Sequence, residues 1–283
     1  GSLTFGEDVT VTLSSGVNFG STSSAPITPI TTINGSLEIL QNGYAWIWAP
    51  IYGPQSSLIY NAGPQGYQRT FEWFEQLGTS GLPNDVIIRS NTFLSAAENT
   101  GFDAIPLNLR RDLIIEEDAT LFMNNFGEGM QVPLIIGRNL ILDGVLQGSD
   151  DWGGDIEISG DWIQTGEYFP NGRELAFVGT DSLQEYSATG GDTLAYVLVD
   201  NPEGLQINNN IRVSQDFEFL NGVVIPESTQ SITFADGSTA TGADASSYFS
   251  GVVSKIGWTD DVEFTFPVGD YRQVTMDSLV NVF

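Results

Sequence analysis

Between Leu205 and Phe219 the sequence breaks into apolar strands of three or four residues, each ended by a small polar corner. Leu205-Gln206-Ile207 is followed by Asn208-Asn209-Asn210, Ile211-Arg212-Val213 by Ser214-Gln215, and Asp216-Phe217-Glu218-Phe219 by Leu220-Asn221-Gly222. Within each strand apolar and polar residues alternate, so one face turns inward and the other meets water. Strands this short do not make stable isolated hairpins. They become stable when each pairs with its equivalent in the next turn of a coil. The expected fold is therefore all-β, a right-handed parallel β-helix or β-solenoid, with Ile211, Val213, Phe217 and Phe219 inside.

The pattern extends in both directions. Leu140, Ile156, Leu175, Ala195, Phe217 and Ile232 head successive strands at spacings of about 15 to 22 residues, the range of one solenoid repeat. Asp143-Gly144, Gly153-Gly154, Asn171-Gly172, Gly190-Gly191, Asn221-Gly222 and Asp236-Gly237 mark corners where the backbone must turn. The expected organisation is a solenoid over residues 1-247, irregular with insertions over 1-131 and regular over 132-247. Residues 248-283 then form a C-terminal β cap or the start of a further β-module, or simply two more coils. In the first part, strands are expected at Leu3–Phe5, Val9–Leu13, Ser36–Leu40, Asp85–Arg89, Leu113–Ile115 and Thr120–Met123. The one helix candidate, Phe71 to Leu77, covers about two turns, too few to stand alone.

Charge narrows the partners. Asp plus Glu number 36 against 9 Lys plus Arg, the formal net charge is -27, and Lys255 is the only lysine. Such a chain repels phosphate backbones and anionic membrane surfaces, which argues against nucleic-acid binding and membrane docking. No apolar run approaches the roughly 20 residues of a membrane helix, so no direct membrane insertion is expected. There is no cysteine, hence no disulfide and no thiolate chemistry. No segment reads as a signal peptide; if the protein is exported, its signal lies outside these 283 residues.

The search for chemistry leaves carboxylates and aromatics. With neither His nor Cys, imidazole- or thiolate-based catalysis and metal binding are excluded. Asp150, Asp151, Asp155 and Asp161 crowd into one coil with Glu157 nearby. They form a Ca²⁺ site, a carboxylate pair for glycoside hydrolysis, or a solvated acidic corner. Tyr44-Ala45-Trp46-Ile47-Trp48 alternates strictly, which places Tyr44, Trp46 and Trp48 on one strand face. With Tyr52, Tyr60, Tyr67, Phe71, Trp73 and Phe74 close behind, these rings are either a stacking platform for sugars or a plug in the side of the solenoid. Arg110-Arg111 is the one basic pair, in a stretch without a partner motif for a polysaccharide lyase. No enzyme activity is expected.

Several phrases resemble the large surface proteins exported by type IX-secreting bacteria of the Bacteroidota kind. They are Ser57-Leu58-Ile59-Tyr60-Asn61, Asn84-Asp85-Val86-Ile87-Ile88, Val132 to Leu140, Gly154 to Trp162, Asn171 to Thr180, Ser247 to Lys255 and Phe264 to Arg272. The resemblance implies a secreted or cell-surface location and a structural, adhesin-like role. It also implies a surface glycan or protein ligand and contact with the secretion and anchoring machinery. The family's C-terminal sorting domain has no counterpart here, so the chain is expected to be a segment of a longer protein.

Overall fold

The computed structural model describes residues 2–15, 18–19, 30–45, 49–75, 80–97, 105–125, 128–190, 192–257 and 264–267. Apart from one 3-10 turn, Phe71–Trp73, its regular structure is β. The described strands build a β-solenoid of about ten turns. Each early coil visits three faces in chain order. The second face is the spine, a parallel ten-stranded sheet running from Thr10–Leu13 through Ser36–Leu40, Leu113–Ile115 and Trp162–Gln164 to Val224–Pro226.

Coil length varies without breaking that spine. Leu205 pairs with Val224 after 19 residues, and Leu58 with Val86 after 28. Length differences are absorbed in the corners, where a longer loop costs little extra closure entropy. The strands themselves stay in register, because a slip of one residue would turn every core side chain outward.

In-register pairing stacks like on like along the axis. On the second face Leu37, Leu58, Val86, Leu113, Leu140, Trp162, Tyr186 and Ile207 form one continuous inward column. All eight are fully buried. On the first face Leu134, Ile156, Leu175, Val197 and Phe217 form another. Ile211, Val213, Phe217 and Phe219 are all inside, and the rings of Phe217 and Phe219 stack at 4.5 Å.

The strand heads read from the sequence are not all equivalent. Ile156, Leu175 and Phe217 share the first face, whereas Leu140 belongs to the second. Ala195 lies where the register shifts between Leu194 and Tyr196. The reason is a change of cross-section. The third sheet ends at Glu167–Phe169. From Asp192–Asp200 onward, what would be a third-face strand runs straight into the next first-face strand, with an irregularity in place of a corner.

Corners are fixed by two local rules. Asn91 and Asp118, in equivalent places after second-face strands, both adopt positive φ, 60° and 62°, which Asn and Asp tolerate best among residues with a Cβ. Where coils come closest, only glycine fits: a Cβ on Gly166 would lie 1.9 Å from the carbonyl oxygen of Gly144, its counterpart one coil earlier.

Pairing continues past Ser247, with Val224 bridging Phe249 and Val252–Lys255 adding a strand beside Ser231–Phe234. Phe264 packs on Phe234 at 5.1 Å. The one lysine is used here: the Lys255 ammonium donates to the carbonyls of Ala235 and Ser238 and lies 5.1 Å from the Phe264 ring. The helix candidate Phe71 to Leu77, too short to stand alone, is a three-residue 3-10 turn at Phe71–Trp73, and its last two residues, Gln76 and Leu77, lie outside the described residues.

Truncating Phe217 to Ala should cost about 3–5 kcal/mol in denaturant unfolding, because the stacked column cannot collapse around one missing ring. A loss below about 1 kcal/mol would contradict a packed interior at that position.

Candidate functional site

Two arrangements of polar side chains stand out. The first lies inside the coil. The first-face sheet is interrupted between Ile51–Tyr52 and Leu107–Leu109, and the turn Phe71–Trp73 fills the gap. Trp73 is fully buried, and its indole Nε1 donates to the carbonyl of Asn108 at 2.8 Å. Beside it the carboxylate of Glu72, also fully buried, accepts from the hydroxyls of Tyr60 and Tyr67, both at 3.1 Å. The Thr70 amide donates to it at 2.8 Å and the Ala45 amide at 3.4 Å, while the Thr70 hydroxyl lies between this carboxylate and the Ala45 carbonyl, within donating reach of both. Tyr52 donates to the Glu72 carbonyl at 2.7 Å.

A buried carboxylate is tolerable only with such a set of donors. Burial, and after it the Glu72 charge, push the hydroxyls of Tyr52, Tyr60 and Tyr67 well above the ordinary phenol range. They therefore remain donors at any physiological pH. Arg69, nearly buried, donates to the carbonyls of Ala96 and Trp73 and ties this knot to the next coil.

Where the knot reaches the surface there is an open groove of about 330 Å³ between the corner Gln41–Tyr44 and the segment Ala62–Thr70. Tyr44 and Tyr67 supply rings, Gln41, Asn42, Gln65 and Gln68 supply amides, and no charged side chain lines it. Tyr44 is half-buried, while Trp46 and Trp48 lie outside the described residues. Most of the other aromatics near it in sequence are interior: Tyr52, Tyr60, Trp73 and Phe74 are buried.

The groove opens at one end of the third sheet, whose first strand is Tyr67–Gln68. One outward column of that sheet runs Gln68, Ser95, Phe122, Gln147, Phe169. The other runs Phe93, Thr120, Val145, Glu167, of which Thr120 is buried. Glu167 is the one charge among these nine side chains. Phe93 and Phe169 are exposed, and Phe93 stacks on Phe122 at 6.1 Å.

The first face is the electrostatic opposite. Its outward residues include Glu157, Glu174, Asp216 and Glu218. Partial burial and then the charges of Asp155, Glu218, Glu157 and Asp216 raise the pKa of Glu174 above its ordinary value.

The second arrangement is a ladder at the corner leading into the second face. Asp85, Asp112, Asn139, Asp161 and Glu185 hold equivalent places in five successive coils. From Asp85 to Asp161, each side chain accepts the backbone amide of its successor, at 3.2, 3.2, 2.9 and 2.9 Å. Asn208 then donates to Glu185. Arg111 pairs with Asp85 and Arg138 with Asp112, which neutralises stacked like charges that would otherwise repel. Burial alone would raise the Asp112 pKa, but the hydrogen bonds from Arg138 and the Asn139 amide, with the charges of Arg138 and Arg111, hold it below the ordinary range.

This ladder accounts for much of what the sequence offers as chemistry. Asp161 is one of its rungs, and Asp155 caps the Glu174 amide at 3.0 Å on a different corner. Asp150 accepts from the Asn124 side chain at 2.9 Å, and Asp151 from the Gly129 amide at 2.7 Å. The four aspartates share a coil but point at separate amides. Among the described residues no group of three or more acidic side chains gathers as a cation site. Half of the Arg110-Arg111 pair is committed to the ladder through Asp85.

Neither arrangement was singled out from the sequence. The ladder has a visible signal, an Asp or Asn directly before the first inward residue of a second-face strand: Asp85-Val86, Asp112-Leu113, Asn139-Leu140 and Asp161-Trp162. The Glu72 knot has none, since its partners are set by how three coils stack.

Fold and surface together define a repeat protein: a parallel β-solenoid with an amide-capped corner ladder and one nearly uncharged, aromatic-bearing face. Compared with protein-family models, with curated proteins and with solved structures, the chain finds no match.

Replacing Glu72 with Leu leaves the hydroxyls of Tyr60 and Tyr67 and the amides of Thr70 and Ala45 short of an acceptor, while the Thr70 hydroxyl keeps the Ala45 carbonyl. It should cost about 3 kcal/mol or more in denaturant unfolding, with Glu72→Gln costing less. A change within about 0.5 kcal/mol for the Leu variant would contradict the knot.

The ladder predicts a pH signature. Asp112 has a depressed folded pKa, so its contribution is present above the unfolded carboxylate value of about 3.9 and fades as the pH falls through the lower folded one. Asp112→Asn should lower the melting temperature at pH 7, and the gap to wild type should close as the pH falls below the ordinary carboxylate value and through the lower folded one. Glu174 has the opposite sign. Its raised folded pKa makes ionisation destabilising, so Glu174→Gln should raise the melting temperature at pH 7 and lose that advantage near pH 4.

Proposed function

We infer that the chain is a non-catalytic structural and adhesive module of an exported cell-surface protein. The observation that carries this reading is the axial stack of about ten coils held by the unbroken ten-stranded second-face sheet. With strands about 4.8 Å apart, the stack is a rod on the order of 45 Å long. Its outer side chains are free to vary while the inner columns hold the shape. Rigid reach of this kind suits a stalk or an adhesin segment.

Two further features support the reading. The aspartates of the corner ladder are committed to backbone amides of neighbouring coils, and Glu185 to the side chain of Asn208. The chain has no histidine, the side chain most often poised for proton transfer near neutral pH. The strong negative charge keeps such a segment soluble and discourages self-association. The partners are a surface glycan or protein ligand and the secretion and anchoring machinery. The proposed export route is a type IX-like secretion system, the route implied by the sequence resemblance. Labelling intact cells with antibody to this segment, with and without a block in that route, tests the location; internal retention in both cases would remove it.

Purified protein incubated with a panel of polysaccharides, glycosides and esters should give no turnover. Reducing ends, unsaturated uronate and free acid are the quantities to measure. Reproducible release, abolished by one carboxylate-to-amide substitution, would overturn the non-catalytic reading.

A further inference from the structure

We propose that the third face, together with the groove at its end, is a track for an extended, electrically neutral polysaccharide lying along the solenoid axis. This deepens the adhesive reading and rests on it. The chain carries -27, and its acidic side chains crowd the first face and the corner ladder. The groove lining carries no charge, and the nine outward side chains of the third sheet carry one, Glu167. A surface left with a single charge on so acidic a body does not select cations, and the surrounding field repels polyanions such as polyuronates or nucleic acids. The occupant that fits is neutral.

The side chains define its chemistry. Aromatic faces cover the C–H faces of sugar rings, while amides and hydroxyls match their O–H groups. Along one column the order is Gln68, Ser95, Phe122, Gln147, Phe169, so its two phenyl rings stand two coils apart with the Gln147 amide between them. Two coils span about 9.6 Å, the scale of a disaccharide unit in an extended chain. Phe93, exposed and stacked on Phe122, widens the first ring position.

The groove supplies the end of the track. There Tyr67 has its hydroxyl held by Glu72 at 3.1 Å, so its ring is fixed before any ligand arrives. A rigid aromatic loses little entropy on binding. The flat face and shallow groove bury little area at each sugar, so affinity comes from several sugars in a row. Short oligosaccharides should bind far more weakly than polymer.

The test is affinity electrophoresis of the purified chain through gels carrying hydroxyethylcellulose, xyloglucan, galactomannan or dextran, with polygalacturonate and alginate as acidic counterparts. At least one neutral polymer should retard the protein and neither acidic one should. Phe93→Ala combined with Phe169→Ala should weaken retardation at least tenfold, with melting temperature recorded to confirm folding. Ile163→Ala, which removes an exposed apolar residue from the second face, should leave retardation unchanged.

Absence of retardation by every neutral polymer, equal retardation by the acidic ones, or wild-type binding by the double variant would each overturn the track. Assaying the same incubations for reducing ends separates the two conclusions. Sugar release would count against the non-catalytic reading, whereas lack of binding without release would remove the track alone.

Discussion

Coil-to-coil hydrogen bonding in register is the interaction on which everything else in this protein depends. The second-face sheet joins ten strands whose neighbours in space are 19 to 28 residues apart in sequence. Each three-residue strand contributes too few bonds and too little buried surface to persist alone. Stacked, it gains a neighbour above and below, and its inward residues join columns of buried side chains. The corner ladder reinforces the same geometry from outside the sheet. Asp85, Asp112, Asn139 and Asp161 each hold the amide of the next coil, which fixes register at the point where the chain turns.

The interior is not uniformly apolar, and its polar places coincide with changes of cross-section. Glu72 and its tyrosines sit where the first sheet is interrupted. A second polar group sits where the third sheet ends. There Trp162 donates to Gln164 at 2.8 Å, and Tyr186 donates to Asp192. Gln164 takes the place that Leu142 and Ile115 hold in the two preceding coils. A regular column can be built from aliphatic residues alone. A place where a face begins or ends leaves backbone groups and gaps that only hydrogen-bonding side chains fill.

The distribution of charge over the faces links this architecture to binding. Because inward columns fix the shape, the outward residues of each face vary independently, and the three faces have diverged. The first is acidic, the corner into the second is a neutralised carboxylate ladder, and the third is nearly uncharged and carries exposed Phe93 and Phe169. The aromatic residues thus divide between two tasks. Tyr52, Tyr60 and Trp73 seal the interior, while the phenylalanines of the third face are presented to solvent.

Much of the architecture was legible in the sequence because a strand's period of two and a corner's need for Gly, Asn or Asp are local properties. The alternation in Ile211 to Phe219 was enough to place four side chains inside, and Ser36–Leu40 and Leu113–Ile115 fall where their apolar residues put them. Which strands are equivalent was not legible. Leu140 and Ile156 look alike in sequence but lie on different faces, since local pattern does not say how many corners separate two strands. The meaning of the carboxylates was likewise decided by stacking. Asp150, Asp151, Asp155 and Asp161 are close in sequence, yet each answers to an amide 19 or more positions away, or to a side chain equally distant. Only the tertiary structure sets those partners, because a solenoid brings together residues one coil apart and sends neighbours in sequence round different corners.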